Sequence, residues 1–421
     1  MALIFSPLRG RPMALLWSGL SLSAIGDQLY AVALTWIAVG AFGANAGYLA
    51  ALQAGIVLLA ALGIGRWADR WDSRFSMIAA DVLRAAILLV IVLMWLATGA
   101  IGGLQLIAAV AVLGIGQSVF QPALQTILPR LIEDKSLLPA ANGLLDATDR
   151  SARLIGPGLI GLIGAWIPVM HFLTLDAASF LASAAAVAFI GRRSGPTPRP
   201  HRAEPALANI QRGVRAMRRH KLLGYLFETS GLLNGAWYAA FYLALPLVIS
   251  QREVGGPGGG IAAFGLIISA YGFTNLAATL VIGSRKMPAQ PQGQMFGGNL
   301  LMGLAIVLLA LASRLPADWL LSGLMASAAL GAAGGPMKDI PMAVLRQTCL
   351  QPSDMGAAMR AYMAATSAGT LVAMLLAPSL IGAIGAPAAL TLCGAAYLVV
   401  GLLGLRLFAR PSEGELTAPR G

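Results

Sequence analysis

The sequence predicts an all-α membrane protein with twelve transmembrane helices in two pseudo-symmetric six-helix bundles. Of its 421 residues, 58% are hydrophobic and only 11% are charged, whereas a soluble domain usually carries about 25% charged residues. The apolar residues form blocks, such as 85–96 and 301–312, within stretches of about 20 residues, long enough to cross a bilayer. Only helices or closed barrels satisfy the backbone in lipid. The blocks lack the alternation of a barrel strand, so helices are predicted.

The apolar blocks divide into two sets of six predicted spans. A segment rich in Gly, Pro and Arg follows the sixth span and cannot form a helix interior where it begins. We predict an N-terminal bundle at 1–190, a cytoplasmic linker at 191–221, a C-terminal bundle at 222–410 and a cytoplasmic tail at 411–421. The predicted spans are 13–41, 45–65, 75–97, 101–129, 138–166, 168–190, 222–250, 259–283, 294–313, 317–345, 356–383 and 386–408.

The second part of the linker, 209–221, is basic and has a narrow apolar stripe. Ile210, Val214 and Met217 lie at helical spacing within it. This pattern predicts a short amphipathic helix on the cytoplasmic leaflet. The alternative is a solvated, disordered tether.

Basic residues fall almost entirely on one side of the predicted arrangement. With the N-terminus in the cytoplasm, the cytoplasmic loops, linker and tail hold most of the Arg and Lys, and the opposite side holds only Arg252 and Arg314. Cytoplasmic loops of membrane proteins carry this excess. We therefore expect a multi-pass protein of the cytoplasmic (inner) membrane, with both termini in the cytoplasm. The net charge of +12 reflects this orientation, so nucleic acid is not an expected partner.

Neither a metal site nor a cofactor site is predicted. Cys349 and Cys393 lack paired or metal-ligand spacing, and the three histidines lie near segment ends or in the linker. No Gly-rich phosphate loop appears, which argues against a primary pump. The first apolar stretch, 13–41, is too long for a cleaved signal peptide and carries Asp27.

The two halves resemble each other at separate places along the chain. The segment 156–164 matches 377–385, with Pro157 opposite Pro378, and a Leu-Gly pair precedes both Pro122 in span 4 and Pro341 in span 10. The offset between matching positions is nearly constant. This favours duplication of a six-span unit, and parallel repeats of this kind bind substrate between the halves.

An ordered set of motifs resembles the major facilitator superfamily, and within it the drug and siderophore exporters. The loop after span 2 has Gly65, then Asp69-Arg70 and Arg74, although Asp72 stands where the family usually has Gly. The resemblance covers nearly the whole chain. The other motifs are Ile25-Gly26-Asp27, Asp81-Val-Leu-Arg84, Phe120-Gln-Pro-Ala123, Pro139-Ala-Ala-Asn142-Gly143 and Leu175-Asp176-Ala-Ala-Ser179.

The resemblance assigns roles to two of these regions. In the family, the loop with Gly65, Asp69, Arg70 and Arg74 latches the halves in the outward-open state, because its carboxylate can stabilise a helix N-terminus of the other bundle. The alternative is that the arginines of this loop only set the orientation of the protein in the membrane. Span 5 resembles the Gly-Pro motif of proton-coupled antiporters, which implies export, and ordinary small-residue packing is the alternative. The span 5 residues are Arg153, Gly156, Pro157 and Gly161.

Charged residues within spans are candidates for proton coupling, because each is costly in lipid. Asp27 lies in the middle of span 1 with no charged neighbour within a helical turn. We predict that it binds the coupling proton, since burial favours its protonated form; a substrate-sensing carboxylate and a hydrogen-bonded packing residue are the alternatives. Glu228 and Asp149 are the next candidates. Asp149 belongs to a span 5 cluster, 146–153, whose i,i+4 pairs are expected to be structural.

Polar and aromatic residues in four spans are candidates for the substrate cavity. Gln117, Gln121 and Gln125 lie on one stripe of span 4, where interhelical hydrogen bonding is the alternative. Lys338 can meet an anionic substrate, or it can join Asp339 and Glu228 in mutual neutralisation. Aromatic rings either anchor the protein at the membrane interface or stack on substrate. These rings are Tyr30 and Trp36 in span 1, and Trp237, Tyr238 and Tyr242 in span 7.

These observations predict a secondary transporter that exports a small amphipathic organic molecule, a drug or a siderophore, in exchange for protons by alternating access. We expect it to act as a monomer in the bilayer. Span 4 departs from proton-drug antiporters because it has no Arg at mid-membrane. The alternatives are movement of lysolipid between leaflets and a membrane-embedded lipid-modifying enzyme, which would need clustered catalytic His, Asp or Glu.

Overall fold

The structure is a computed structural model that describes residues 5–59, 72–132, 134, 137–190, 206–254, 259–285, 287–288 and 290–408. This described part is helical throughout and contains no strand. Its α-helices, numbered here in chain order, are α1 Arg11–Phe42, α2 Gly47–Leu59, α3 Ser73–Thr98, α4 Gly103–Leu131, α5 Leu138–Ile163, α6 Met170–Phe189, α7 Ala206–Arg218, α8 Lys221–Ala239, α9 Leu245–Gln251, α10 Gly260–Gly283, α11 Gln292–Ala312, α12 Ala317–Ala332, α13 Gly334–Cys349, α14 Pro352–Ile384 and α15 Ala386–Leu407.

Ten segments of the described chain are long and apolar enough to cross a membrane. One of them, Arg11–Leu59, contains both α1 and α2, which are joined by a short 3₁₀ turn. Helix α5 is not among the ten, because Asp146, Asp149, Arg150 and Arg153 interrupt its apolar sequence. The structure therefore has about ten to twelve apolar helices, and the exact number of twelve stays a prediction.

Two predicted spans contain a break in the regular helix. In the predicted span 222–250, a π-helical turn at Ala240–Ala244 joins α8 to α9, just before Pro246. Proline cannot donate the backbone hydrogen bond that an α-helix requires. In the predicted span 317–345, the chain forms two helices, α12 and α13, with a break at Ala333. Pro341 lies inside α13.

Contacts between helices occur mostly within each half of the chain. In the first half, α1 packs on α5 and α6, and α3 packs on α4 and α6. In the second half, α11 packs on α12, α13 and α15, and α8 packs on α14 and α15. Two larger contacts join the halves, α5 with α10 and α2 with α14. The second apolar helix of each half thus meets the fifth of the other half.

The matched prolines lie in these two equivalent contacts. The carbonyl oxygen of Pro157 in α5 is 2.7 Å from the position that a Cβ would occupy at Gly265 in α10. The Cγ of Pro378 in α14 is 3.0 Å from the corresponding position at Gly47 in α2. The sequence repeat therefore corresponds to a repeat in packing.

The buried apolar side chains form one shared core and two separate ones. The shared core combines residues of both halves, for example Leu34 and Phe180 with Phe241 and Ile261. A second core, around Met13 and Phe120, uses only the first half. The third, around Met217 and Phe296, uses only the second half. The halves therefore share one core at one end and have separate cores at the end where α1 begins.

Helix α7 packs against the second half of the protein. Its Met217 is fully buried in the third core, and Arg360 of α14 donates a hydrogen bond of 2.7 Å to Asn209. A Cβ at Gly213 would overlap the carbonyl group of Ala357 in α14. The apolar stripe of α7, which the sequence predicts to face the membrane leaflet, thus contacts protein instead. The reason is that an amphipathic pattern does not distinguish lipid from a neighbouring helix.

Candidate functional site

Asp27 lies beside a second carboxylate that comes from α6. Asp176 and Ser179 of α6 are buried and occupy the space that a side chain at Gly26 would need. The Ser179 hydroxyl lies 2.8 Å from the backbone carbonyl oxygen of Asp176 and 3.1 Å from its Oδ1, so its one hydrogen is shared between these two acceptors. Gly26 thus lets α6 approach α1 at the position next to Asp27, which is itself half-buried.

An ion pair from α3 lies in the same region. Asp81 and Arg84 are both buried and form a salt bridge within α3. Arg84 Nη1 donates a hydrogen bond of 2.8 Å to Oε1 of Gln117 in α4. The Arg84 guanidinium also lies 4.2 Å from the centre of the Phe180 ring and 4.8 Å from that of Phe120, distances at which a cation is attracted to a ring face.

The cluster formed by Asp27, Asp81, Arg84 and Asp176 has more acidic than basic groups. Three carboxyl groups share one guanidinium, and the charges of Arg84 and Asp81 act on both Asp27 and Asp176. The Oδ2 atoms of Asp81 and Asp176 are buried without a hydrogen-bond partner in the described residues. We name these four residues the carboxylate cluster.

The rings of the second half form an aromatic cluster of Trp237, Tyr238, Phe241, Tyr242 and Tyr271. The centres of Trp237 and Tyr238 are 5.1 Å apart, and Trp237 Nε1 donates a hydrogen bond of 3.2 Å to Tyr271 Oη. Phe241 is buried and the other four rings are half-buried. These rings thus pack on one another against the shared core.

Other predicted cavity aromatics lie within the protein interior. Tyr30 is buried in the shared core, where the charges of Asp27 and Asp176 act on it. Trp36 extends from α1 to α10, where its ring fills the space beside Gly260. Tyr30 is therefore placed beside the carboxylate cluster, whereas Trp36 helps to hold the two halves together.

The charges of α5 face different surroundings. Arg150 donates a hydrogen bond of 2.9 Å to Asp146, the i,i+4 pair expected from the sequence. Arg153 is exposed, and its charge acts on Tyr238, Tyr242 and Tyr271 of the aromatic cluster. Asp149, also exposed, interacts electrostatically with Arg153 and with Asp27. Helix α5 thus lies between the carboxylate cluster and the aromatic cluster.

Lys338 and Asp339 pair with each other in α13. The distance from Lys338 Nζ to Asp339 Oδ1 is 3.4 Å, and the lysine side chain is only 17% exposed. Glu228 instead lies 2.8 Å from Arg218 Nε at the end of α7, with both side chains about half exposed. The predicted neutralisation between Glu228 and Lys338 is therefore wrong in this structure, because Glu228 pairs with Arg218 and Lys338 pairs with Asp339.

The glutamines of α4 divide between two surroundings. Gln117 is bonded to Arg84, as described above, whereas Gln121 and Gln125 are exposed. The helical stripe thus runs from the carboxylate cluster to the exposed surface of α4. A mid-membrane glutamine is more easily accommodated beside water than beside lipid.

The predicted latch is only partly described. Gly65, Asp69 and Arg70 lie outside the described residues. Arg74 donates to the carbonyl groups of Val187 and Ala188, at the C-terminus of α6 in the same half. A cation is stabilising at a helix C-terminus, so Arg74 has a structural role there.

The Gly-Pro residues of α5 lie at the contact with α10. A Cβ at Gly265 would be 2.6 Å from Gly161 N, and one at Gly161 would be 2.9 Å from Leu266 N. Gly156 faces the other way and contacts Gln28 of α1. The small residues therefore allow close contact on two sides of α5, both within its half and across the halves.

In the sequence, Asp176 and Ser179 stand out only as part of a family motif, without a predicted role. Asp176 and Ser179 are three residues apart on one helix, and this spacing does not predict a contact with Asp27, which is far away in the chain. Likewise, Asp81 and Arg84 were recognised as a motif without a function. The signal that could have found them is the occurrence of charged residues within apolar spans.

Comparison with known proteins agrees with this architecture. Residues 16–291 match the family model of the Major Facilitator Superfamily. The chain is 25% identical over 398 residues to the uncharacterized MFS-type transporter YfiS of Bacillus subtilis (strain 168), covering 91% of this chain and 90% of that protein.

Solved structures show the same fold at low sequence identity. A bacterial homologue of the iron transporter ferroportin, in an inward-facing state, has a TM-score of 0.73 at 14% identity and covers 95% of this chain and 99% of its own. A mutant form of the nucleoside transporter NupG has a TM-score of 0.74 at 12% identity, with coverage of 93% and 100%. The chain belongs to the Major Facilitator Superfamily and is a multi-pass secondary transporter, not an enzyme.

Proposed function

We propose that this transporter exports a small amphipathic organic molecule, a drug or a siderophore, across the cytoplasmic membrane in exchange for protons. It works by alternating access as a monomer of two six-helix bundles, residues 1–190 and 222–410, with both termini in the cytoplasm. The observation that carries the proposal is the aromatic cluster in the second half, with Arg153 of the first half beside it.

The aromatic cluster favours an organic cargo with a flat apolar part. Trp237, Tyr238, Tyr242 and Tyr271 are half-buried, so each ring retains free surface. Ring surfaces bind flat apolar groups, and the tyrosine hydroxyls add hydrogen-bonding capacity. The exposed Gln121 and Gln125 of α4 suit a molecule that also has polar groups.

The arrangement of the cores supports alternating access. The cores around Met13 and Met217 are separate, whereas the shared core joins the halves at the other end. With the predicted orientation, the separate cores lie on the cytoplasmic side, so this state receives cargo from the cytoplasm. The α5–α10 and α2–α14 contacts are then the surfaces that must open during transport.

Proton coupling is assigned to Asp27 of the carboxylate cluster. Its half-buried side chain is more accessible than the fully buried Asp81 and Asp176. Asp149 stays the second candidate, because it is exposed on α5 close enough for its charge to act on Asp27. Glu228 is the weakest candidate, since it already pairs with Arg218.

Transport into proteoliposomes tests the proposal. Ethidium, norfloxacin and fluorescein serve as cationic, zwitterionic and anionic aromatic probes, and a pH gradient is imposed with the lumen acidic. We expect at least one probe to accumulate in the lumen, and nigericin, which dissipates the gradient, to abolish the accumulation. Probe movement that only follows the probe's own gradient would overturn proton antiport.

A lysolipid assay on the same vesicles tests the alternative cargo. Fluorescent lysophosphatidylethanolamine is added to the outer leaflet, and its removal by albumin is followed over time. We expect the same rate with and without the protein. Protein-dependent protection from albumin, together with no accumulation of the three aromatic probes, would replace the proposed cargo with lysolipid.

A further inference from the structure

We propose that Asp27 and Asp176 hold one proton between them, in a binding site built from α1 and α6. The inference rests on the proposed function and adds a second residue to the coupling site. Its basis is geometric: Gly26, the residue before Asp27, has no side chain, and the Asp176 carboxyl group occupies the space beside it.

The burial of Asp176 requires a bound positive charge. The residue is fully buried, Oδ1 shares the one hydrogen of the Ser179 hydroxyl with the Asp176 backbone carbonyl, and Oδ2 has no partner in the described residues. An ionised carboxylate without partners is strongly disfavoured in a low-dielectric interior. A proton on the pair removes one negative charge and supplies an O–H donor.

The other charged groups around the pair do not provide this compensation. Arg84 of α3 is the one cation of the carboxylate cluster, and it is already bonded to Asp81 and Gln117. The remaining titratable groups that act on the pair are Tyr30 of α1 and Asp149 of α5, and neither is a cation. With every carboxyl group of the cluster ionised, three negative charges would face one positive charge.

The chemistry of the site favours a proton over a metal ion. In the described residues, no group of three or more His, Cys, Asp and Glu side chains is arranged to hold a metal ion. A shared proton needs only two carboxyl oxygens, and like charges at close range hold such a proton because both cannot ionise together.

The two residues have different roles because their exposure differs. The half-buried Asp27 exchanges the proton with water, and the O–H bond forms on one of its carboxyl oxygens. The fully buried Asp176 accepts a hydrogen bond from that group and prevents Asp27 from ionising alone. Loss of the proton increases the negative charge beside Arg84. This weakens the hydrogen bond from Arg84 to Gln117, so the change in protonation is transmitted to α4.

Infrared spectroscopy of the purified protein in bilayers tests the site without a cargo. Spectra recorded across a pH titration report the carbonyl stretch of protonated carboxyl groups. We expect one such band in the wild-type protein, lost as the pH rises. Asp27→Asn and Asp176→Asn should each remove the whole band, and the control Asp318→Asn, which alters an exposed carboxylate at the start of α12, should leave it unchanged.

Each other outcome has a definite meaning. A band that survives both substitutions, or one that only one of the two removes, overturns the shared proton. Loss of the band on adding sodium ions at constant pH overturns it in favour of a metal cation. If Asp176→Asn fails to fold, Ser179→Ala replaces it, and the band must then shift in frequency, since Ser179 donates to Asp176. If the protein shows the band but exports no probe, the result supports the shared proton site and refutes the proposed function.

Discussion

At the scale of single residues, the proposed proton site depends on two carboxyl groups and on a glycine that has no side chain. Asp27 and Asp176 are distant in the chain and belong to different helices. They become neighbours because Gly26 leaves room for Asp176 and Ser179. A glycine of α1 is thus as necessary for the proposed coupling site as its carboxyl groups.

Asp27→Asn should abolish uphill export while leaving probe binding measurable. Each proton that enters supplies about 2.3 kcal/mol per 100 mV of membrane potential, and asparagine cannot carry it. The expected result is an accumulation ratio that falls to one in the proteoliposome assay, with binding followed by tryptophan fluorescence. Asp318→Asn is the matched control, because that carboxylate is exposed at the start of α12. Continued accumulation in Asp27→Asn would move the coupling role to Asp149.

Gly26→Ala should destabilise the protein by about 1–3 kcal/mol, the usual effect of overpacking. Its methyl group would overlap Ser179 and Asp176, both buried. Gly40→Ala in the same helix is the control: it meets nothing within 4 Å and should stabilise the helix by at most about 1 kcal/mol. Thermal unfolding in detergent measures both. Equal melting temperatures for the two variants would show that α6 does not need this close approach.

At the scale of helices, the contacts between the halves are backbone contacts made possible by small residues. In the α5–α10 contact, Gly161 and Gly265 bring the two backbones together, and Ser269 lies 3.0 Å from the Cβ position of Gly158. Membrane helices use small residues for close packing because lipid provides no hydrophobic drive for association.

Gly265→Ala should weaken the α5–α10 contact by about 1–3 kcal/mol. The added Cβ would lie 2.6 Å from Gly161 N and 2.7 Å from Pro157 O, and backbone atoms cannot move aside as a side chain can. We expect a lower melting temperature and a reduced rate of probe transport.

Gly283→Ala, in the last turn of α10, provides the control for this substitution. It meets nothing within 4 Å, so both measurements should stay at the wild-type level. A wild-type melting temperature for Gly265→Ala would contradict the close contact between α5 and α10.

At the scale of the whole molecule, helix α7 packs with the second half. Helix α7 contacts α14 through Asn209 and Gly213, and Arg218 pairs with Glu228 of α8. Each half also has a core of its own. The protein should therefore tolerate a break before α7 better than a break within either half.

Chains 1–195 and 199–421, produced together, should assemble into a complex that survives purification through a tag on one chain. The shared core and the α5–α10 and α2–α14 contacts hold them together. The control divides the protein within α4, after residue 116, which separates parts of one core. It should leave no complex. Degradation of both chains in the first pair would contradict the division into two halves.

The sequence by itself determined that this is an all-helical membrane protein, because apolar blocks long enough to span lipid leave few other structures possible. It also made Asp27 a candidate for proton coupling, since an isolated charge in an apolar span is visible in the sequence alone. Only the tertiary structure brought Asp176 and Arg84 into the region of Asp27, and only it placed α7 on α14. The physical reason is that hydropathy measures how well a segment fits lipid, whereas partners across helices depend on which faces pack together.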